Sequence, residues 1–321
     1  MSLVQYFVDK SVPENKFLND AFLMINWGEL DELLNKYIKH KSGGRPPYPL
    51  ILLLKMHLLQ MWYGLSDEQT EFQCNDRLTF RKFLNLAIED KIPDATTLEN
   101  FRHVLTESKI ADFLVEYLNK CCVENGLIKK EGTLVDATFI KANSRPHTDK
   151  NKNSDIDAEW GHKGFGYKTT VNVDKDSKLI RAISTAPNNV SEAREFREIL
   201  LGDEAEVFAD KGYDRNMVRD ELKAKKIKQR IMYQTRRSKS GEHSTPHTEQ
   251  KEAFNQSSSK IRARVEHVFA FWKYVFRCTR ARYRGLERVA GQMMSLTLAY
   301  NLRRMVFLIK QKPSLAWGSS A

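Results

Sequence analysis

An all-helical N-terminal region followed by an α/β domain is the fold class that the sequence predicts, and three observations predict it. Apolar residues recur at helical spacing as far as Gly126. Beyond Gly126, short β-branched and apolar stretches alternate with helical ones. The length of 321 residues suits about two domains, each able to bury its own core. With 41% hydrophobic and 29% charged residues and only 15 Gly and 9 Pro, disordered and collagen-like classes are excluded.

The helical domain is expected over residues 1–130. Phe22, Ile25, Leu30, Leu33, Leu34, Tyr37 and Ile38 predict one helix from Leu18 to Ile38, broken by Ser42-Gly43-Gly44-Arg45-Pro46-Pro47. Leu50 to Tyr63 predicts a buried helix stopped near Gly64. Ser66-Asp67-Glu68-Gln69 then offers a cap with acids in the first turn, where the helix dipole favours them. A short helix is expected around Leu78 to Leu86. Asp94 to Glu99 supplies cap candidates, Thr96 with Glu99 among them, for a helix through Phe101 and Leu105. A last helix runs from Ile110 to Asn125. Short helices joined by tight turns admit a helix-turn-helix, with Thr96 to Leu105 as the reading element, and equally a structural or dimerising domain.

Over residues 131–321 the period changes. Thr133 to Ile140 reads as a strand around the single acid Asp136. A polar loop from Asn143 to His162 follows, then strands at Tyr167 to Val173 and Leu179 to Ser184. A helix is expected from Ser191 to Leu201, a strand from Glu206 to Asp210, a helix from Asp214 to Lys225 and a strand from Gln229 to Tyr233. Residues 235–259 read as a loop, and Lys260 to Arg284 and Gln292 to Ile309 as long helices. This order predicts a ribonuclease-H-like domain, a mixed five-stranded sheet with helices, in which the first and fourth strands are neighbours and bring Asp136 opposite Asp210.

Charge narrows the function. The net charge is +11, yet residues 211–321 hold 25 basic against 8 acidic residues, so the surplus lies in that third and calls for a polyanion, nucleic acid foremost. The longest apolar run, Leu50 to Tyr63, contains Lys55 and His57 and is too short to span a membrane. The N-terminus carries no secretory pattern, and Cys74, Cys121, Cys122 and Cys278 have neither zinc-ligand spacing nor a disulfide framework. A cytoplasmic protein, nucleoid-associated when bound to DNA, is expected.

Asp136 within an apolar strand would suffer desolvation unless paired, protonated or metal-bound. Asp210 ends a second such strand. Glu266 is the only acid between Lys260 and Arg284, amid eight basic residues. On a regular helix Arg262, Glu266 and Lys273 fall within about 40° of one another, beside a stripe of Val268, Phe269, Trp272, Val275 and Phe276. Two aspartates and a glutamate converging form a hard oxygen site suited to Mg²⁺, and two such ions would stabilise the attacking and leaving oxygens of a phosphoryl displacement. The other reading of the same residues is an internal salt-bridge network, with Glu266 bonded to Arg262 and Asp136 a structural acid.

Arg262-x₃-Glu266-x₆-Lys273 resembles the R-E-K part of the Y-R-E-K motif of bacterial insertion-sequence DDE transposases. Leu134 to Thr138 and Ala209 to Tyr213 resemble the segments carrying that family's two aspartates. Gly44 to Pro49, Trp62 to Gln69 and Asn75-Asp76-Arg77 are similar to the N-terminal domain of its IS-five group. The resemblance implies that Asp136, Asp210 and Glu266 bind two Mg²⁺ ions, free 3′-hydroxyls at the transposon ends and join them to target DNA. It implies that Arg262 and Lys273 contact DNA phosphate, with Arg264, Arg277, Arg280, Arg282 and Arg284 as further DNA-binding candidates. Pairing two ends implies a homodimer or larger assembly. Ser259 stands where the family has Tyr, a residue associated with a flipped base during hairpin formation, so the resemblance does not carry a hairpin step over to this chain.

Trp160 and Phe165 are the candidates for base insertion, whereas Phe269, Trp272 and Phe276 read as core. His243 and His247 read as loop residues and His267 as a helix-surface or DNA-contacting one. The rivals to a transposase are a catalytically silent, domesticated DNA-binding protein and a ribonuclease-H-fold nuclease.

Overall fold

Asn26 divides the run that the sequence predicts as one helix over Leu18 to Ile38. Its side chain accepts from the Glu29 amide at 3.2 Å, and the chain forms two helices, Lys16–Met24 and Trp27–Tyr37. A short polar side chain that substitutes for a backbone acceptor favours a helix start over a helix interior. The computed structural model describes residues 14–38, 47–146, 154–234 and 246–313. The Ser42 to Pro46 part of the expected break, and His243, lie outside the described residues. Two compact units make up the chain: Met1–Cys121, Val275–Arg277 and Ser295–Ala321 form the first, Cys122–Tyr274 and Cys278–Met294 the second.

In the first unit the helix Leu50–Tyr63 is buried nearly all round, as its apolar run requires. Gly64, at φ 61°, closes it in the left-handed region where a side chain would be strained. Ser66 and Gln69 form a reciprocal capping box opening Asp67–Asp76. Helices Leu78–Leu84, Ala95–Glu107 and Ile110–Glu124 follow. Asp94, rather than Thr96, caps Ala95–Glu107 by accepting from the Thr97 amide at 2.6 Å. Arg102 makes a two-pronged pair with Asp67 at 2.5 and 2.7 Å, tying two of these helices. Trp62 donates its indole N–H to the Ala299 carbonyl at 2.9 Å, anchoring the distal part of the long helix Leu286–Gln311 in the same unit.

The second unit is built on a mixed sheet of β1 (Thr133–Lys141), β2 (Glu159–Gly161), β3 (Gly164–Asp174), β4 (Ile180–Pro187), β5 (Glu206–Ala209) and β6 (Lys228–Ile231). Along it the order is β2-β3-β1-β5-β6, and β4 pairs with β3. β1, β3 and β4 run antiparallel, and β5 and β6 run parallel to β1. This is the ribonuclease-H-like arrangement with one strand more than the expected five. The addition, β2, falls inside the expected Asn143 to His162 loop and is too short for a period of two to register. Helices Glu192–Ile199 and Asn216–Ala224 cover the sheet, with Val135, Phe196, Val207, Tyr213 and Leu222 in a shared core.

The C-terminal elements differ most from expectation. Pro246 opens a helix to Arg262 inside the expected 235–259 loop, since proline is well tolerated in a first turn. The expected Lys260 to Arg284 helix breaks into a 3₁₀ turn, Ala263–Val265, a short α-helix, Glu266–Ala270, and a π-turn, Phe271–Val275. Helix resumes only at Leu286, so Arg277, Arg280, Arg282 and Arg284 are not helical.

Candidate active site

β1 and β5 are parallel neighbours in register at Thr133 with Val207 and Leu134 with Phe208. Two residues further along each chain stand Asp136 and Asp210, so the shared register carries both acids to the same end of the same strand pair. Asp136 is anchored through one oxygen, which accepts from the Ala137 amide at 2.8 Å. Its other oxygen accepts from Arg262. Asp210 caps the 3₁₀ turn Lys211–Tyr213, its Oδ1 accepting from the Gly212 amide at 2.5 Å.

Glu266 is exposed at the start of its short helix. A 3₁₀ turn has 3.0 residues per turn instead of 3.6, so Ala263–Val265 carries Arg262 and Glu266 further apart around the axis than a regular helix does. Arg262 is bonded to Asp136, not to Glu266, and the expected arc of Arg262, Glu266 and Lys273 is not a single helical face. Burial pushes the Asp136 carboxyl up to about 6, against the pull of Arg262 and the Ala137 amide. The charges of Asp210 and Glu266 push it the same way, which places both acids within electrostatic reach.

Sequence reasoning missed a fourth acid. Glu192, in the first turn of Glu192–Ile199, brings Oε2 to 1.9 Å from where a Cβ on Gly212 would stand, and Asp210 Oδ1 lies 3.0 Å from the same point. Only glycine at 212 leaves room for this approach. Burial and then Asp210 raise the Glu192 pKa, with Lys168, Lys163 and Arg215 opposing. Tyr213 was also missed. It is fully buried, and burial followed by the charges of Glu192, Asp136 and Asp210 pushes its phenol well above the usual range. Its hydroxyl lies by Thr170, but neither oxygen completes a hydrogen bond of good geometry. Glycine and an aromatic two and three residues after the acid that ends a strand were the available signal for Tyr213. Glu192 reads in sequence as an ordinary helix-start acid.

Among the described residues no three acidic, His or Cys side chains are drawn together tightly enough to cage a metal ion. By donor type the site fits one: hard carboxylate oxygens from separate elements sense one another's charge. Arg262 holds the Asp136 oxygen that a cation would share.

The other candidates are dispersed. Arg264 is exposed, 3.4 Å from Asp176, and Lys273 is half-buried in the π-turn. Arg280, Arg282 and Arg284 are exposed in the second unit, the backbone of Arg280 bridging to Lys141. Arg277, at φ 56°, belongs to the first unit. Val268, Phe269, Trp272 and Phe276 are core as expected, but Val275 is 36% exposed because the π-turn rotates it off the stripe. His267 packs on Phe271 and His247 lies in the Pro246–Arg262 helix. All four cysteines are free, and among the described residues no helix is long and apolar enough to cross a membrane.

Residues 128–302 match the family model described as Transposase DDE domain, and residues 6–104 match Transposase domain (DUF772). Among solved structures, the chain is similar to a piggyBac transposase synaptic complex with hairpin DNA, at 11% identity and TM-score 0.47, over 96% of this chain and 76% of that one. It is similar to a Mos1 transposase paired-end complex with left transposon end at 13% identity and TM-score 0.21, over 85% of this chain and 93% of that one.

Proposed function

The chain belongs to the DDE-domain transposase family, whose members usually use divalent metal ions, and from that premise we propose an insertion-sequence transposase of the IS-five group. In this reading it binds the terminal inverted repeats of its element, hydrolyses the DNA at the ends to free 3′-hydroxyls and joins them to target DNA. Its partners are double-stranded DNA and at least one further copy of the chain. The observation that carries the reading is the meeting of Asp136 and Asp210 at the end of two parallel strands, with the Glu266 charge felt at Asp136.

Asp136, Asp210 and Glu266 would hold the metal, two Mg²⁺ or Mn²⁺ ions in this reading. When bound, such ions supply Lewis-acid stabilisation of the attacking and leaving oxygens of an in-line phosphoryl displacement. The protein's own part follows from its geometry. The Ala137 and Gly212 amides fix one oxygen each of Asp136 and Asp210, so both carboxylates are oriented before DNA arrives. Arg262 compensates the Asp136 charge and would be free to pair with a DNA phosphate were a cation to share that oxygen, with Lys273 a further phosphate contact in this reading. The exposed arginines beyond Lys273 hold the backbone, and their contribution weakens with salt.

The test incubates the purified chain, and Asp136→Asn, Asp210→Asn and Glu266→Gln variants, with the DNA flanking its own reading frame and Mg²⁺ or Mn²⁺. Each substitution should abolish strand cleavage and retain end binding. Full cleavage by any variant overturns the site. Binding without nicking by the unaltered chain marks a silent DNA-binding protein, and cleavage with no end preference and no strand joining marks a nuclease.

A further inference from the structure

The second unit holds an open cavity of about 670 Å³ at the β2–β3 hairpin, within the size range of small-ligand sites. Trp160 and Phe165 are directly opposite each other across the hairpin, with ring centroids 5.8 Å apart. The pair is held firmly. Gly166, at φ 157°, lies so close to β1 that a Cβ there would meet the Ile140 carbonyl at 2.2 Å. The Phe165 carbonyl accepts from the Ala142 amide at 3.1 Å, and Asn188 donates to the Gly164 carbonyl at 2.7 Å. Trp160 nonetheless remains 62% exposed, a large aromatic surface fixed in place and open to solvent.

Lys141, Arg145, Lys163 and Arg280 also line the cavity, and among the described residues no acidic one does. A flat aromatic platform ringed by four cations matches a ligand with a π-face and negative charge beside it. A nucleobase flanked by phosphates has that chemistry. A base stacked and paired within a duplex hides its faces, so the platform is accessible only to a base outside the helix. On β1, Phe139 of the cavity is three residues from Asp136, about 10 Å along the strand and, the interval being odd, on the other face of the sheet.

We propose that this cavity receives one unpaired nucleotide of the bound DNA, its base on Trp160 and Phe165 and its flanking phosphates on Arg145, Lys163 and Arg280. The proposal rests on the reading of the chain as a DNA-binding transposase. It is independent of which carboxylates hold metal.

The full chain is titrated, without divalent metal, with two 20-base-pair duplexes of one sequence. In one duplex a single 2-aminopurine is fully paired, and in the other it is an unpaired one-nucleotide bulge. The bulged duplex should bind about tenfold tighter, with its 2-aminopurine fluorescence quenched on binding. Trp160→Ala should remove both the preference and most of the quenching while the paired duplex binds as before, and Trp160→Phe should restore much of both. Because Trp160 is exposed on a hairpin, its loss leaves the core intact, and unchanged binding of the paired duplex verifies folding. Equal affinity of the unaltered chain for the two duplexes, or a preference that survives Trp160→Ala, overturns the pocket and leaves DNA binding standing. Binding of neither duplex overturns the DNA reading and the pocket with it.

Discussion

Lys55 in the helical unit and Asp136 in the sheet unit are both ionisable groups withdrawn from water, and burial pushes them in opposite directions. Lys55 comes down to about 8. Its ammonium lies over Phe22, Trp27 and Phe83 at 4.9, 4.7 and 5.6 Å, and Asp31 pulls the other way. Asp136 goes up to about 6, and beyond its one cation the nearby charges are further acids, Asp210 and Glu266. Aromatic rings around a lysine recover part of what its burial costs. Acids around an acid make the burial worse, and such an arrangement persists where chemistry requires it. The two units thus contain the same kind of penalty, softened for packing in one and heightened in the other.

The largest expected effect separates these two cases at Asp136. Asp136→Asn should lower strand cleavage by more than about a thousandfold. Stability should move the opposite way. The folded pKa of about 6 lies above the ordinary 3.8, so the contribution of Asp136 is fully present below pH 3.8 and is lost as pH rises through 6. At pH 8, without metal, the asparagine variant should therefore be the more stable protein, by about 3 kcal/mol, since the shift to about 6 already includes the attraction of Arg262. A variant that is less stable than the parent at pH 8 would show that Arg262 outweighs burial and the neighbouring acids.

Two glycines extend the contrast. Gly212→Ala would drive a methyl group into Glu192 Oε2 and disturb the Asp210 amide contact. About a hundredfold loss of cleavage is expected, since a displacement of about 1 Å at a reacting centre costs that much. Gly64→Ala meets a positive φ at a helix end and the flexible Arg277 side chain. It should cost about 1 kcal/mol of stability and leave cleavage unchanged. Parallel melting curves and cleavage rates for the two variants distinguish glycine retained for close approach from glycine retained for conformation.

How much of this was legible follows from the range of the forces involved. The Leu50–Tyr63 helix, its stop at Gly64 and the Ser66 cap were readable because neighbours in sequence determine them. The β1–β5 adjacency was readable from element order, and with it the meeting of Asp136 and Asp210. The break between Arg262 and Lys273 was not, because 3₁₀ and π turns leave no compositional mark and Arg262 is drawn to an acid 126 residues away. Glu192 was hidden for the same reason. Its role depends on the absent side chain of Gly212, 20 positions on, and nothing near it in sequence differs from a common helix start.

The smallest effect tests the other side of the comparison. The folded pKa of Lys55, about 8, lies below its ordinary 10.5, so the unfolded chain binds the proton more tightly. Stability should therefore rise with pH from 8 to 10.5, opposite in slope to the Asp136 window. Lys55→Met removes the buried charge but also its attraction to the three rings, so at pH 7 a net gain of about 1 kcal/mol is expected. Cleavage should be unaffected. Thermal unfolding at pH 7 and at pH 10 checks both statements, because the gap between variant and parent should narrow as the parent's lysine loses its proton. If Lys55→Met is the less stable protein at pH 7, the rings hold the ammonium by more than burial costs. Lys55 would then be a stabilising anchor, and Asp136 alone would carry a burial penalty that its cation, Arg262, only partly offsets.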